Sequence, residues 1–209
     1  MSAALAGASA LPGAAPRREP FRAVAIGTSA GGIDALAALL PCLPTGATLS
    51  VFIVVHLPPS VPSLLCDIFR PKCALRVMEA EDKCPVEPGT LYFAPPNYHL
   101  LIDPGPQLAL SIDPAVHFSR PAIDVLFESA ADIYRQYLLG IVLTGASEDG
   151  ARGLLAVHRA GGAVVVQSPD TAMAPAMPLH AIRRCPEAAV LTLNDIGKLL
   201  QEAARGSAG

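Results

Sequence analysis

The chain has 209 residues, 52% of them apolar and 16% charged, with 15 basic and 18 acidic side chains and a formal net charge of −3. That length suits one domain with tails, and that apolar share excludes a wholly disordered chain. The charge balance argues against a polyanion as the main partner, so no nucleic acid is expected.

Residues 1–20 are small, apolar and proline-containing. They lack the basic start and strong Leu/Val core of a signal peptide, so they read as a flexible lead-in or linker. Residues 22–27 read as a first strand, and an apolar helix pattern runs from Ile33 to Leu40 before Pro41 and Pro44 end it. Residues 50–55, SVFIVV, suit a strand buried on both faces. The apolar run 47–57 is too short to span a bilayer, so no membrane insertion is expected. A helix over 60–69 and a strand over 74–78 follow. This rhythm predicts parallel pairing with crossover helices.

The middle departs from it. TLYFAP, YHLLID and LALSID are short apolar runs between turn signals, with Asp-Pro-Gly-Pro at 103–106. A hairpin over 98–112 is expected, extending the edge of the sheet. Ser119 is placed to cap a helix over 121–135. Then come a strand at 138–143, a helix at 149–160, a strand at 163–166, a helix at 175–184 and a strand at 188–192. Asn194 is expected to cap a last helix of 195–204, with a frayed tail from Ala203 to Gly209. The expected fold is α/β: a mostly parallel sheet flanked by helices in a Rossmann-like three-layer domain over 21–202, with an antiparallel hairpin extension. The five cysteines, Cys42, Cys66, Cys73, Cys84 and Cys185, show neither CxxC nor metal-finger spacing. They read as free thiols in a reducing, cytoplasmic setting.

The segment Gly27-Thr28-Ser29-Ala30-Gly31-Gly32 contains GxSxG between a strand and a helix. A sharp turn there lifts a serine hydroxyl above the sheet, and the following helix offers unsatisfied N–H groups to an oxyanion. Glycine-rich turns also bind phosphates or simply turn the chain, so three readings stay open from this segment. A dinucleotide site prefers Asp or Glu at the end of the second strand, where this chain has His56. A Walker lysine is absent, because Ile33 and Asp34 follow Gly32. Both absences favour a nucleophile.

His56 directly follows a buried strand, which puts it on the same rim as Ser29 if the strands are parallel. Imidazole suits the removal of a serine proton, although a histidine satisfied at a loop start fits the position too. Asp149 lies in Thr144-Gly145-Ala146-Ser147-Glu148-Asp149-Gly150, beyond another strand. It is a candidate to hold the imidazole, a helix cap is the plain alternative, and Glu148 competes for the role. The order Ser, His, Asp departs from the Ser, acid, His order of the α/β-hydrolases.

Six segments then resemble one family in order: GTSAGG at 27–32, VVHLP at 54–58, FAPPNYHL at 93–100, FSRPAIDVLF at 118–127, LTGASEDGARGL at 143–154 and PAMPLHAI at 175–182. Together they are similar to the catalytic domain of the bacterial chemotaxis protein-glutamate methylesterase (CheB) family. The resemblance covers residues 22–200. It implies Ser29 as nucleophile, His56 as base and Asp149 rather than Glu148 as the acid. It implies hydrolysis of glutamate methyl esters on the cytoplasmic helical region of chemoreceptors, and deamidation of receptor glutamines. It implies no cofactor and no metal. The backbone amides near Ala30 and Ala146 are the expected oxyanion donors. Ala30 stands where many members have Thr, and Ala146 where they often have Met, which leaves a smaller wall. Ser119, Arg120, His99 and Met177 are candidate cleft residues. His117, His158 and His180 show no metal-ligand spacing. Many members carry a receiver domain ahead of this one, so a receiver domain or response regulator is an expected partner. With about twenty residues ahead of the domain, the chain reads as an excised catalytic domain or a stand-alone relative. The competing classes are a serine esterase or amidase on another substrate, a receptor-binding module without catalysis, and a phosphate or nucleotide binder.

Overall fold

The computed structural model describes residues 21–57 and 63–206. Nine strands and six α-helices follow one another along them: β1 (Ala23–Thr28), α1 (Gly32–Leu39), β2 (Ser50–Val55), α2 (Leu65–Phe69), β3 (Arg76–Glu79), β4 (Thr90–Phe93), β5 (His99–Asp103), β6 (Gln107–Ser111), α3 (Ile123–Tyr134), β7 (Leu138–Val142), α4 (Ala151–Arg159), β8 (Ala163–Gln167), α5 (Ala176–Arg184), β9 (Ala189–Leu191) and α6 (Leu193–Gly206). Seven strands form one sheet in the order β3-β4-β2-β1-β7-β8-β9, and every pairing in it is parallel.

The strands explain themselves. β1, β2 and β7 are continuous apolar runs, and every residue in them is buried. Alternate side chains of β1 then serve opposite layers. Val24 and Ile26 join Leu36 and Leu39 of α1, Phe69 of α2 and Leu200 of α6. Ala23 and Ala25 join Leu126 and Phe127 of α3, Leu154 of α4 and Ala181 of α5. The small side chains on this second face let α3 approach closely. Gly27 carries this furthest, because a Cβ there would lie 2.2 Å from Ile123 Cγ2.

Strand order reverses between β1 and β7. Open parallel sheets carry their sites outside the carboxyl ends of the strands at such a switch point. The loops after β1, β2 and β7 therefore meet there.

Several local expectations need correction. The hairpin β5–β6 forms, but as a separate antiparallel two-stranded sheet. It packs on α3 instead of extending the main sheet. Leu100, Ile102 and Leu108 share a core with Leu126 and Phe127, and Ile102 N–H donates to Ser129 Oγ at 3.1 Å. β3 is the strand at that edge of the main sheet. Ser119 does not cap α3, which has no side-chain cap of its own. Asn194 lies inside α6; Thr192 Oγ1 instead accepts from Asp195 N–H at 3.3 Å. The expected tail start at Ala203 also lies inside α6, where Ala203 and Ala204 are buried. The lead-in 1–20 and part of the helix expected at 60–69 lie outside the described residues. The five cysteines are free, and burial pushes the Cys185 thiol up to about 11.

Candidate functional site

Register alone brings Ser29 and His56 together. Thr28 pairs with Val55 across β1 and β2, and His56 N–H donates to Thr28 O at 3.1 Å. The next residues, Ser29 and His56, thus leave neighbouring parallel strands side by side, with strands spaced about 4.8 Å apart. Ser29 is half-buried, and among the described residues its hydroxyl has no hydrogen-bond partner. The turn after it is tight: Gly32 N–H donates to Ser29 O at 2.9 Å, and Gly31 has φ +77°. A side chain at Gly31 would meet both that left-handed backbone and Met173, whose Cβ lies 2.7 Å from the built position.

The loop after β7 is stitched to this turn. Ser29 N–H and Thr28 Oγ1 both donate to Thr144 O, at 3.0 and 2.8 Å. Thr144 Oγ1 donates to Ala30 O at 2.9 Å and accepts from Ala174 N–H at 2.8 Å. Thr144 N–H donates to Gln167 Oε1 at 2.9 Å. One threonine and one buried glutamine thus tie the ends of β1, β7 and β8 together, and neither is among the residues expected at the site. Their only signal was a polar residue closing an apolar strand. Among the described residues, the N–H groups of Ala30 and Ala146 donate to nothing.

Asp149 is fully buried. Its Oδ2 accepts from His56 Nε2 at 2.8 Å and from Ile123 N–H at 2.6 Å, and its Oδ1 accepts from Asp124 N–H at 2.9 Å. The first two amides of α3 therefore find their acceptor in another segment. That carboxylate does for α3 what the expected Ser119 cap does not, and it sits at the positive end of the helix. Glu148 points elsewhere: it is exposed and pairs with His117 at 3.1 Å.

An ionised carboxylate only accepts, so His56 Nε2 carries the proton and Nδ1 holds the free lone pair. Nδ1 faces Ser119 Oγ at 3.4 Å, a long contact. Ser119 sits in a tight reversal in which Val116 and Ser119 exchange backbone hydrogen bonds of 3.1 and 2.9 Å. The two residues between them, His117 and Phe118, have φ +49° and +60°. Positive φ costs a bulky residue about 1 kcal/mol or more.

The other candidates divide. Arg120 spends its guanidinium on the carbonyls of Ile112 and Asp113, at 2.7 and 3.2 Å, and so closes its own loop. His99 does not line an open cleft. It is buried, accepts from Ala122 N–H at 3.1 Å and donates to Pro114 O at 3.2 Å. It supports the segment leading into α3. Met177 is buried as well, under the loop after β7: its N–H donates to Gly145 O at 2.8 Å, and its sulfur fills the space beside Gly145.

A charge cluster adjoins the buried acid. Asp124, fully buried, accepts from Gly153 N–H at 2.7 Å through Oδ1. Its Oδ2 lies 3.4 Å from His117 Nε2 and 3.5 Å from Arg152 Nε. Burial pushes the Asp124 carboxyl above its ordinary range and the neighbouring Asp149 adds to this, while the Gly153 amide, Arg152 and His117 oppose it. A cavity of about 370 Å³ opens beside the cluster, lined by His117, Glu148, Arg152, His180, Arg183 and Arg184. His117, Asp124 and Asp149 bring potential metal ligands within 4.8 Å of one another. Asp149 has both oxygens engaged by three N–H donors, and Asp124 already faces two basic side chains. The set is an ion-pair network in its chemistry.

Comparison with known proteins gives one consistent answer. A family model described as CheB methylesterase matches residues 24–200. A putative protein-glutamate methylesterase/protein-glutamine glutaminase of Leptospira interrogans is 43% identical over 179 residues, covering 86% of this chain and 93% of that protein. A protein-glutamate methylesterase/protein-glutamine glutaminase of Symbiobacterium thermophilum is 35% identical over 186 residues, covering 89% of this chain but 51% of that longer protein. The crystal structure of the Thermotoga maritima CheB methylesterase catalytic domain superposes with a TM-score of 0.82 at 32% identity, over 87% of this chain and 98% of that one.

Proposed function

The chain belongs to the CheB methylesterase family, and from that premise we propose that it is a serine hydrolase acting on glutamate methyl esters of chemoreceptors, with Ser29, His56 and Asp149 as its catalytic residues. The carrying observation is the orientation of His56. Its Nε2 is held by a buried carboxylate at 2.8 Å, which leaves Nδ1 as the base at the register position beside Ser29.

The chemistry follows from that orientation. Ser29 Oγ attacks the ester carbonyl and gives its proton to His56 Nδ1. The oxyanion is received by the undonated N–H groups of Ala30 and Ala146. Asp149 stabilises the imidazolium and keeps the ring from turning. His56 returns the proton to the departing methoxide, and methanol leaves. Water then attacks the acyl-enzyme by the same proton path, giving glutamate. A receptor glutamine follows the same course with ammonia as the leaving group. No step calls for a metal or cofactor.

Ser119 is the second serine near His56, and the 3.4 Å contact favours it at first sight. Its surroundings do not. Its own N–H is committed to Val116 O. Ser29 has undonated amides beside it and stands at the start of a helix. Catalytic hydrogen bonds are often loose before substrate binds. Ser119 is therefore assigned to steadying the imidazole.

The proposed substrate region is the cytoplasmic helical part of the receptor, and the proposed regulator is a receiver domain or response regulator. The longer Symbiobacterium relative leaves room for such a domain, since this chain spans only 51% of it. No helix among the described residues is long and apolar enough to cross a membrane. Methanol release from a methylated chemoreceptor tests the reading: wild type releases it and S29A does not. Equal release by both removes Ser29 from the reaction. Wild-type activity on another acyl ester but not on the receptor keeps the chemistry and rejects the substrate.

A further inference from the structure

Two apolar side chains at the rim stand out because both lie largely in solvent. Phe118 is fully exposed, at 103% of its reference area, and Met173 is 78% exposed. Each sits beside one partner of the proposed nucleophile–base pair. Phe118 precedes Ser119, whose hydroxyl faces His56 Nδ1. Met173 packs its Cβ and sulfur against the position of Gly31, two residues beyond Ser29.

Both are held in place. Phe118 occupies the second position of a two-residue reversal in which both residues have positive φ. Such turns are normally built from Asn-Gly or Asp-Gly. Here the sequence is His117-Phe118. His117 accounts for its own place, through Asp124 and Glu148. Phe118 gains nothing from the fold: its ring is in solvent and its backbone is strained. Met173 is fixed by its neighbour Ala174, whose N–H donates to Thr144 Oγ1 and whose carbonyl accepts from Gly145 N–H at 2.9 Å. A ring left in solvent contributes nothing to folding and positive φ opposes it, and here the two coincide one residue from Ser119, whose hydroxyl faces the imidazole. Strain of this kind collects where binding uses it.

We infer that Phe118, with Met173, docks apolar surface of the substrate protein on either side of the esterified side chain. A glutamyl side chain reaches only about 5 Å from its Cα. A protein that presents its ester to Ser29 must therefore lay its neighbouring residues on this rim. Aromatic and methionine side chains are enriched at protein interfaces, the one rigid and the other adaptable. This inference rests on the proposed esterase reading.

The test compares two substrates, a methylated receptor fragment and a small acyl methyl ester that cannot reach the rim. Phe118→Gly removes the ring and relieves the strained backbone, so the variant should melt no lower than wild type. Its kcat/KM on the receptor fragment should fall about tenfold, mainly through KM. Its rate on the small ester should stay within about twofold. Phe118→Tyr should restore receptor turnover, and Met173→Ser should reproduce the selective loss more weakly. Receptor kcat/KM of Phe118→Gly within twofold of wild type overturns the inference, as does an equal fall on both substrates. If wild type itself hydrolyses the small ester but never the receptor, the substrate reading has failed and docking falls with it.

Discussion

The strand pair β1–β2 and the segment from Val116 to Asp124 reach the same site by opposite means. On the β1–β2 side, geometry is inherited from the sheet. Two buried parallel strands in register deliver Ser29 and His56 to adjacent positions, and Thr144 fastens the turn after the first of them. On the other side nothing is inherited. A strained reversal, an α3 N-terminus without its own cap, and a buried aspartate from a distant loop must all engage at once. The lesson is that proximity comes cheaply from regular structure, whereas orientation of the imidazole is assembled from irregular parts. Residues of the first side should therefore affect reaction without stability, and residues of the second should affect both.

S29A gives the largest expected effect. Methanol release should fall at least about a thousandfold, as for loss of other serine nucleophiles. The Ser29 hydroxyl has no partner among the described residues, so Tm should move by less than about 2 °C. A large drop in Tm would break the contrast. D149N comes next and should divide from it. Its kcat should fall by on the order of 10³–10⁴. Three N–H donors converge on the Asp149 carboxylate, and an amide offers a single oxygen to them. Stability should therefore drop by roughly 2–4 kcal/mol, read as a lowered midpoint in denaturant. If D149N unfolds like wild type, Asp149 does not organise α3.

Much of the first side was legible in the sequence. SVFIVV ends directly at His56, and a glycine-rich turn follows the first strand, so parallel pairing suffices to put both residues on one rim. The carboxylate that holds the imidazole was not legible. Glu148 and Asp149 are adjacent, and spacing could not choose between them; only the family resemblance favoured Asp149. What separates them physically is α3, whose first amides sit 26 and 25 positions away in the chain. No local pattern encodes a helix capped from another segment. The same holds for Thr144 and Gln167, and for His99, whose partners are the carbonyl of Pro114 and the amide of Ala122. The hairpin was readable as a hairpin. Its docking on α3 was not, since the apolar alternation of β5 suits a sheet edge and a helix face equally.

Smaller effects sharpen the comparison. S119A removes one long hydrogen bond to the imidazole, worth about 0.5–1.5 kcal/mol, so kcat should fall about two- to tenfold. A loss as large as that of S29A would reverse the roles of the two serines. Asp124 gives the smallest effect, and its sign depends on pH. Its folded-state pKa is raised from 3.8 by burial first and by Asp149 second. The folded protein thus binds this proton more tightly than the unfolded chain does. Below the unfolded value Asp124 carries no cost; the cost develops as pH rises through the raised value and then stays. The melting temperature of D124N relative to wild type should climb across that window and level off above it. A difference independent of pH would contradict the raised carboxyl.

The proposed reaction depends on one oxygen being activated. A fluorophosphonate reacts with a serine made nucleophilic by a neighbouring base, and peptide mass spectrometry locates the adduct. The prediction is a single modification on Ser29, lost when His56 is replaced by alanine. An adduct on Ser119, or full methanol release from enzyme that takes no label, would contradict it.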